Sequence, residues 1–206
     1  MAAGTEKKSP EREYRAFSLE AAQSAQSGSR EQKDIIRGHA ATFEAYTLYE
    51  MDGIRYQERI ERNAFDGCDM SDVVFRIDHR GPVYARTSAG TLKVSVDDAG
   101  LTFEADLSKT ANARAVAEDI AAGNYPQASF SFLVEADHYE PETHTRVIDA
   151  FRKIYDVSPV VFPANPSTDV EAAERDYFSA QEEAAAKEKA RKEQERSRLL
   201  LRLRLG

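Results

Sequence analysis

GPVYARTSAGTLKVSVDDAGLTFEADL, residues 81–107, alternates apolar and polar side chains and breaks twice, at SAG (88–90) and at DDAG (97–100). Period-2 alternation interrupted by clusters of small and acidic residues is the mark of short strands joined by turns. The stretch predicts about three strands in an antiparallel meander, and with it a mainly β fold. Working outward, VVFRIDH (73–79) reads as an apolar strand ending in a histidine. SFSFLVEADHYE (129–140) and THTRVIDAFRKIYDVSPVVF (143–162) add two or three strands around an EPET turn (140–143). Upstream, two strands are expected at about 35–45 and 54–60 with MDG (51–53) between them, a bulge or close approach near Gly38, and a short strand in 13–19. One segment differs. In ANARAVAEDIAAG (111–123) Ala113, Ala115, Val116 and Ile120 fall near one helical face, and Gly123 sits where a C-terminal cap belongs. The expected class is α+β: mainly β with flanking helices, the strands forming a closed or nearly closed antiparallel barrel.

A chain of 206 residues with 41% apolar side chains can bury the core of one ordinary domain, with tails to spare. Its formal net charge of -8 argues against a surface built to neutralise phosphates, so nucleic acid is not an expected partner. A single cysteine, Cys68, excludes an internal disulfide and fits a reducing compartment. No apolar run approaches the roughly 18 residues of a membrane span, and no membrane partner is expected. By composition, 1–12 is a disordered N-terminus and 13–170 the folded domain, with a flexible connection at about 21–34. Residues 171–206 form a charged helical or disordered tail whose Glu183–Lys187 and Glu188–Lys192 pairs suit an exposed helix.

No glycine-rich phosphate loop, GxSxG elbow or CxxC pair is present, and no histidine or cysteine cluster has metal-ligand spacing, so neither a cofactor nor a metal is expected. Serine chemistry remains open. A serine hydroxyl needs an imidazole within hydrogen-bond reach, itself oriented by a third group. Among His39, His79, His138 and His144, His79 is the best placed, where a strand hands over to a loop. Ser129 or Ser131 with His79 and an acid meets the requirement if the fold joins them.

From about Glu13 to Thr168 the chain resembles the prohead maturation proteases of tailed bacteriophages, serine proteases with a fold like that of the herpesvirus assemblins. The resemblance rests on GHAATFEAY (38–46), ERIERNAF (58–65), the run 74–107, IAAGNYPQASFSFLV (120–134) and YDVSPVVFPANPST (155–168), in that order. It implies Ser129 as nucleophile, His79 as base and Asp156 as the orienting acid, with Asp78, Asp149, His39 and His144 as competitors for the third place. Ser131 stands where the family usually has glycine, and is expected to be a small residue that eases packing or substrate approach. Asp78 and Arg80 flank the base where the family often has an amide and an acid. The implied activity is cleavage of scaffold protein, or of the scaffold-like part of the major capsid protein, and of the enzyme itself. The implied setting is the prohead in the host cytoplasm, with capsid and scaffold subunits as partners and a homodimer or higher oligomer as a further expectation. The charged tail is read as a targeting or self-cleaved segment. A non-catalytic assembly protein of the same fold is the alternative.

Overall fold

The computed structural model describes residues 12–18, 34–161 and 168–205; residues 1–11 of the expected disordered start and all but Asp34 of the connection at 21–34 lie outside them, whereas Arg12, expected to belong to that start, is described and bonds Asp156. In chain order the strands are β1 (Glu13–Ser18), β2 (Ile35–Thr42), β3 (Tyr46–Met51), β4 (Ile54–Ile60), β5 (Val74–Ile77), β6 (Arg80–Arg86), β7 (Leu92–Val96), β8 (Gly100–Asp106), β9 (Gln127–Glu140) and β10 (Thr145–Val160). The helices are α1 (Ala111–Ala121) and α2 (Thr168–Leu205). Mainly β with two helices is the α+β class that the alternation predicts. The meander at 81–107 becomes β6, β7 and β8, turned by a 3-10 turn at Thr87–Ala89 and by the Asp97–Ala99 loop. In that loop Asp97 Oδ1 accepts from the N–H groups of Ala99 (2.8 Å) and Gly100 (3.0 Å), an acid-capped turn.

Two details differ from expectation. The strand expected at 35–45 ends at Thr42, and β3 begins afresh at Tyr46. The irregularity expected near Gly38 falls one step on, as a register shift between His39 and Ala41. On α1 the buried positions are Ala113, Val116, Ala117 and Ile120, the i, i+3, i+4, i+7 stripe, so Ala117 takes the core place expected of Ala115. Thr110 caps the helix by accepting from Ala113 N–H at 3.1 Å.

The chain divides into two compact units. The described part of the first comprises 12–18, 34–45, Arg59–His138 and 147–161. In it β9 pairs antiparallel with β1, β5 pairs antiparallel with β6, and β2–β8–β7 form a three-stranded antiparallel sheet. β10 runs parallel to β5, with Asp156 beside Val74 and Val157 beside Phe75, one parallel pair where an antiparallel arrangement was expected. One core cluster serves these strands: Phe130 and Phe132 stack at 4.6 Å, and Phe151 meets Phe132 edge-on at 5.0 Å. Gly100 opposes Thr42, where a Cβ would meet the Ala41 carbonyl well inside van der Waals contact. Gly100→Ala is therefore expected to cost about 1–3 kcal/mol by pushing β2 off β8, read as a lowered denaturation midpoint.

The second unit comprises Tyr46–Glu58, Tyr139–Arg146 and α2. Phe178 of α2 is 1% exposed, packed against Tyr49, Tyr56 and Tyr139. Gln57 N–H donates to His144 O at 3.0 Å. Glu58 is fully buried, accepts from Tyr46 Oη, and is paired with Arg146 at 3.1 Å. A buried ion pair is costly to break from one side, because the remaining charge has lost its water. Arg146→Met should destabilise this unit by about 3–5 kcal/mol, seen as early loss of its structure in a denaturant titration.

Candidate active site

His79 sits on a two-residue turn of the first unit. Ile77 pairs with Arg80, leaving Asp78 and His79 as the two loop residues of the β5–β6 hairpin, with φ of 46° and 57°. Positive φ at both central positions matches the twist of a two-residue hairpin, but it is a strained conformation for side-chain-bearing residues. Several contacts hold the turn: Asp78 N–H donates to Pro159 O at 3.1 Å, Asp78 Oδ1 accepts from Val161 N–H at 3.2 Å, and the Arg76 guanidinium donates to the carbonyls of His79 at 3.3 Å and Gly81 at 2.9 Å. Tyr14 packs edge-on against the imidazole at 4.7 Å.

Ser129 and Ser131 lie two residues apart on β9 and so share one face, while Phe130 and Phe132 serve the core from the other. All four are fully buried. Asp156 and Ser158 repeat the spacing on β10. These strands and the hairpin turn bring three groups into one line. His79 Nε2 is 2.7 Å from Ser129 Oγ, and His79 Nδ1 is 2.6 Å from Asp156 Oδ1. Asp156 also accepts from Ser131 Oγ at 2.6 Å, from Ser158 Oγ at 2.9 Å, and from the guanidinium of Arg12. Burial pushes its carboxyl up, but the hydrogen bond and charge of His79, with the Ser131 and Ser158 hydroxyls, outweigh that and hold it below the ordinary carboxylate value.

The competing acids and histidines lie elsewhere. Asp78 turns to Val161 N–H, Asp149 accepts from His138 at 2.7 Å, His39 faces Asp97 at 3.0 Å, and His144 faces Glu182 at 3.0 Å. Cys68 is no rival nucleophile: burial, then Asp69, pushes its thiol up to about 11, so it is protonated at neutral pH. Sequence reading missed three residues around Asp156. Ser131 stands in the sequence as a rival nucleophile and, on the resemblance, as a small residue, but not as the donor to the acid that it is. Ser158 carries a signal in its i, i+2 spacing from Asp156, which puts both side chains on one face of β10. Arg12 carried no local signal, since it lies 144 residues from its partner.

A hydroxyl bonded to an imidazole whose other nitrogen faces a buried carboxylate is the arrangement of a serine hydrolase, able to pass the hydroxyl proton to nitrogen as oxygen attacks a carbonyl carbon. A model of the caudovirus prohead serine protease family matches residues 20–183, and the chain belongs to that family. Membership implies a serine protease and suggests a role in capsid maturation. No curated protein and no solved structure matches the chain. No helix among the described residues is long and apolar enough to cross a membrane.

Proposed function

We propose that the chain is the endopeptidase of phage prohead maturation, with Ser129 as nucleophile, His79 as general base and acid, and Asp156 as the orienting acid. Ser129 Oγ attacks a peptide carbonyl while His79 Nε2 takes its proton. The imidazolium returns that proton to the departing amine, and water then releases the acyl group by the same route in reverse. Asp156 fixes the tautomer with hydrogen on Nδ1 and stabilises the imidazolium. The substrates are scaffold protein, or the scaffold-like segment of the major capsid protein, together with the enzyme itself, inside the prohead in the host cytoplasm. The strands are read as a herpesvirus-protease-like barrel, closed or nearly so, in keeping with the one core cluster shared by the β1–β9–β10 and β2–β8–β7 strands.

The observation that carries this reading is the hydrogen-bonded series Ser129–His79–Asp156, at 2.7 and 2.6 Å, within a chain of this family. The test is intact-mass analysis over time of the purified chain, alone and with candidate capsid and scaffold proteins. Fragments are expected from wild type and also from Ser131→Ala, whose loss of one donor to Asp156 should slow cleavage by about tenfold or less, the worth of a single hydrogen bond. If wild type leaves every partner and itself whole at high concentration, the endopeptidase reading is wrong.

A further inference from the structure

One short segment touches all three groups of the site. In β1, Ala16 lies opposite Ser129 in the antiparallel register with β9. The Arg15 carbonyl accepts from Ser129 Oγ at 2.7 Å, the Tyr14 ring packs on His79, and just before the strand Arg12 bonds Asp156 and, at 2.6 Å, Ser131 Oγ. Arg12 also lies over the Tyr155 ring, 4.5 Å from its centroid. Under this cover Ser129 is 0% exposed. A nucleophile that must meet an external peptide bond is here sealed from solvent.

The hydroxyl adds a second argument. Serine has one hydrogen to donate. Oγ stands 2.7 Å from both the Arg15 carbonyl and His79 Nε2, so a hydrogen given to the carbonyl is withheld from the base. The third argument is geometric. An extended peptide binds a sheet by adding as a strand to its edge, main chain to main chain, and among the described strands β1 ends the order of its sheet, lying on the strand that carries Ser129. It already sets a backbone carbonyl on the nucleophile. β1 also precedes the residues that the family model matches.

We propose that residues 12–18 are a pseudo-substrate strand: they occupy the place of the substrate on β9, keep the site latent, and give way to an extended substrate segment that pairs with β9 in the same antiparallel sense, its scissile carbonyl where the Arg15 carbonyl now lies. The proposal rests on the protease reading for what the incoming segment is. That β1 covers Ser129 and leaves it reversibly can be tested without proteolysis.

The full chain carrying Cys68→Ser and Ser129→Cys has one thiol, at the site, and its alkylation by iodoacetamide is followed by intact mass. A second chain adds Arg15→Pro and Ala16→Pro. Successive N–H groups of a strand point to opposite sides, so one of the two prolines removes an N–H from the β9 side. Alkylation is expected to be about tenfold faster or more in the proline chain, as the local opening of a strand permits. Equal rates, both fast or both slow, overturn the proposal. Because prolines can unfold a chain, a second pair of forms closes β1 instead: Ser18→Cys with Gln127→Cys, opposite one another in the register, in a Cys68→Ser chain that keeps Ser129. Paired Cα atoms of antiparallel strands lie about 4.5–5.5 Å apart, within disulfide range. The oxidised form should react with a fluorophosphonate probe about tenfold more slowly than the reduced form, because the disulfide suppresses strand opening. Equal reaction of the two forms overturns the proposal. Reaction in neither form counts against the protease reading, and the alkylation rates then decide the place of β1 alone.

Discussion

Ser129→Ala is expected to lower the rate of peptide cleavage by about 10⁶-fold, the scale of losing the nucleophile of a serine protease. Fold should survive the change. The residue is buried and its hydroxyl donates to the Arg15 carbonyl, so alanine forfeits one hydrogen bond of about 1 kcal/mol and leaves no charge stranded. A melting profile close to wild type beside an unchanged substrate mass is the predicted pair of results. Cleavage by Ser129→Ala at a rate near that of wild type would remove Ser129 from the mechanism and turn attention to Ser131, the other hydroxyl on the same face of β9.

Asp156→Asn is expected to cost both activity and stability. The carboxylate accepts from His79, Ser131, Ser158 and Arg12. An amide has one oxygen for those donors, and its NH2 placed against Nδ1 selects the tautomer with hydrogen on Nε2, which cannot take the serine proton. Cleavage should fall by about 10⁴-fold. Loss of charge-assisted bonds in a buried site should also remove on the order of 3 kcal/mol of stability. The pH dependence follows from the depressed carboxyl. Its folded value lies below the unfolded value of about 3.9, so the stabilisation is fully present above that pH and is lost as pH falls through the folded value. The stability gap between wild type and Asp156→Asn should thus be wide at pH 7 and narrow at pH 3, by denaturant titration at each. A gap that widens in acid would show that the carboxyl is raised rather than lowered.

What the sequence made legible was what period and punctuation encode. SAG and DDAG placed the turns of the meander, and the end of the 73–79 run located His79. What it hid was long-range or conformational. Nothing local told that Asp78 and His79 both adopt positive φ, since glycine is the usual occupant of such turns. Ala115 and Ala117 are equally compatible with an apolar stripe, and only packing against the sheet chose Ala117. β3 was hidden because 35–49 reads as one β-prone run, broken only by a short irregular stretch at 43–45. The tail's composition left helix and disorder both open; the long helix present is joined to β3 and β4 through Phe178, which with Tyr177 forms an aromatic pair within a charged run.

The groups that meet at Ser129 come from far along the chain: His79 is 50 residues away, Arg15 is 114, and His79 stands 77 from Asp156. Contacts of such separation form late, because the loops between them must be closed first, and strand pairings of this kind set folding times of milliseconds to seconds rather than microseconds. No fragment of the chain that ends before β10 contains Asp156, the carboxylate that faces His79 Nδ1. During synthesis the growing polypeptide therefore carries Ser129 and His79 for some time before Asp156 can join them, and the three groups meet only when β10 comes to lie alongside both β5 and β9. On the proposed reading of the site, timing of this kind would keep the protease inactive while it is being made, before the cover supplied by β1 comes into play.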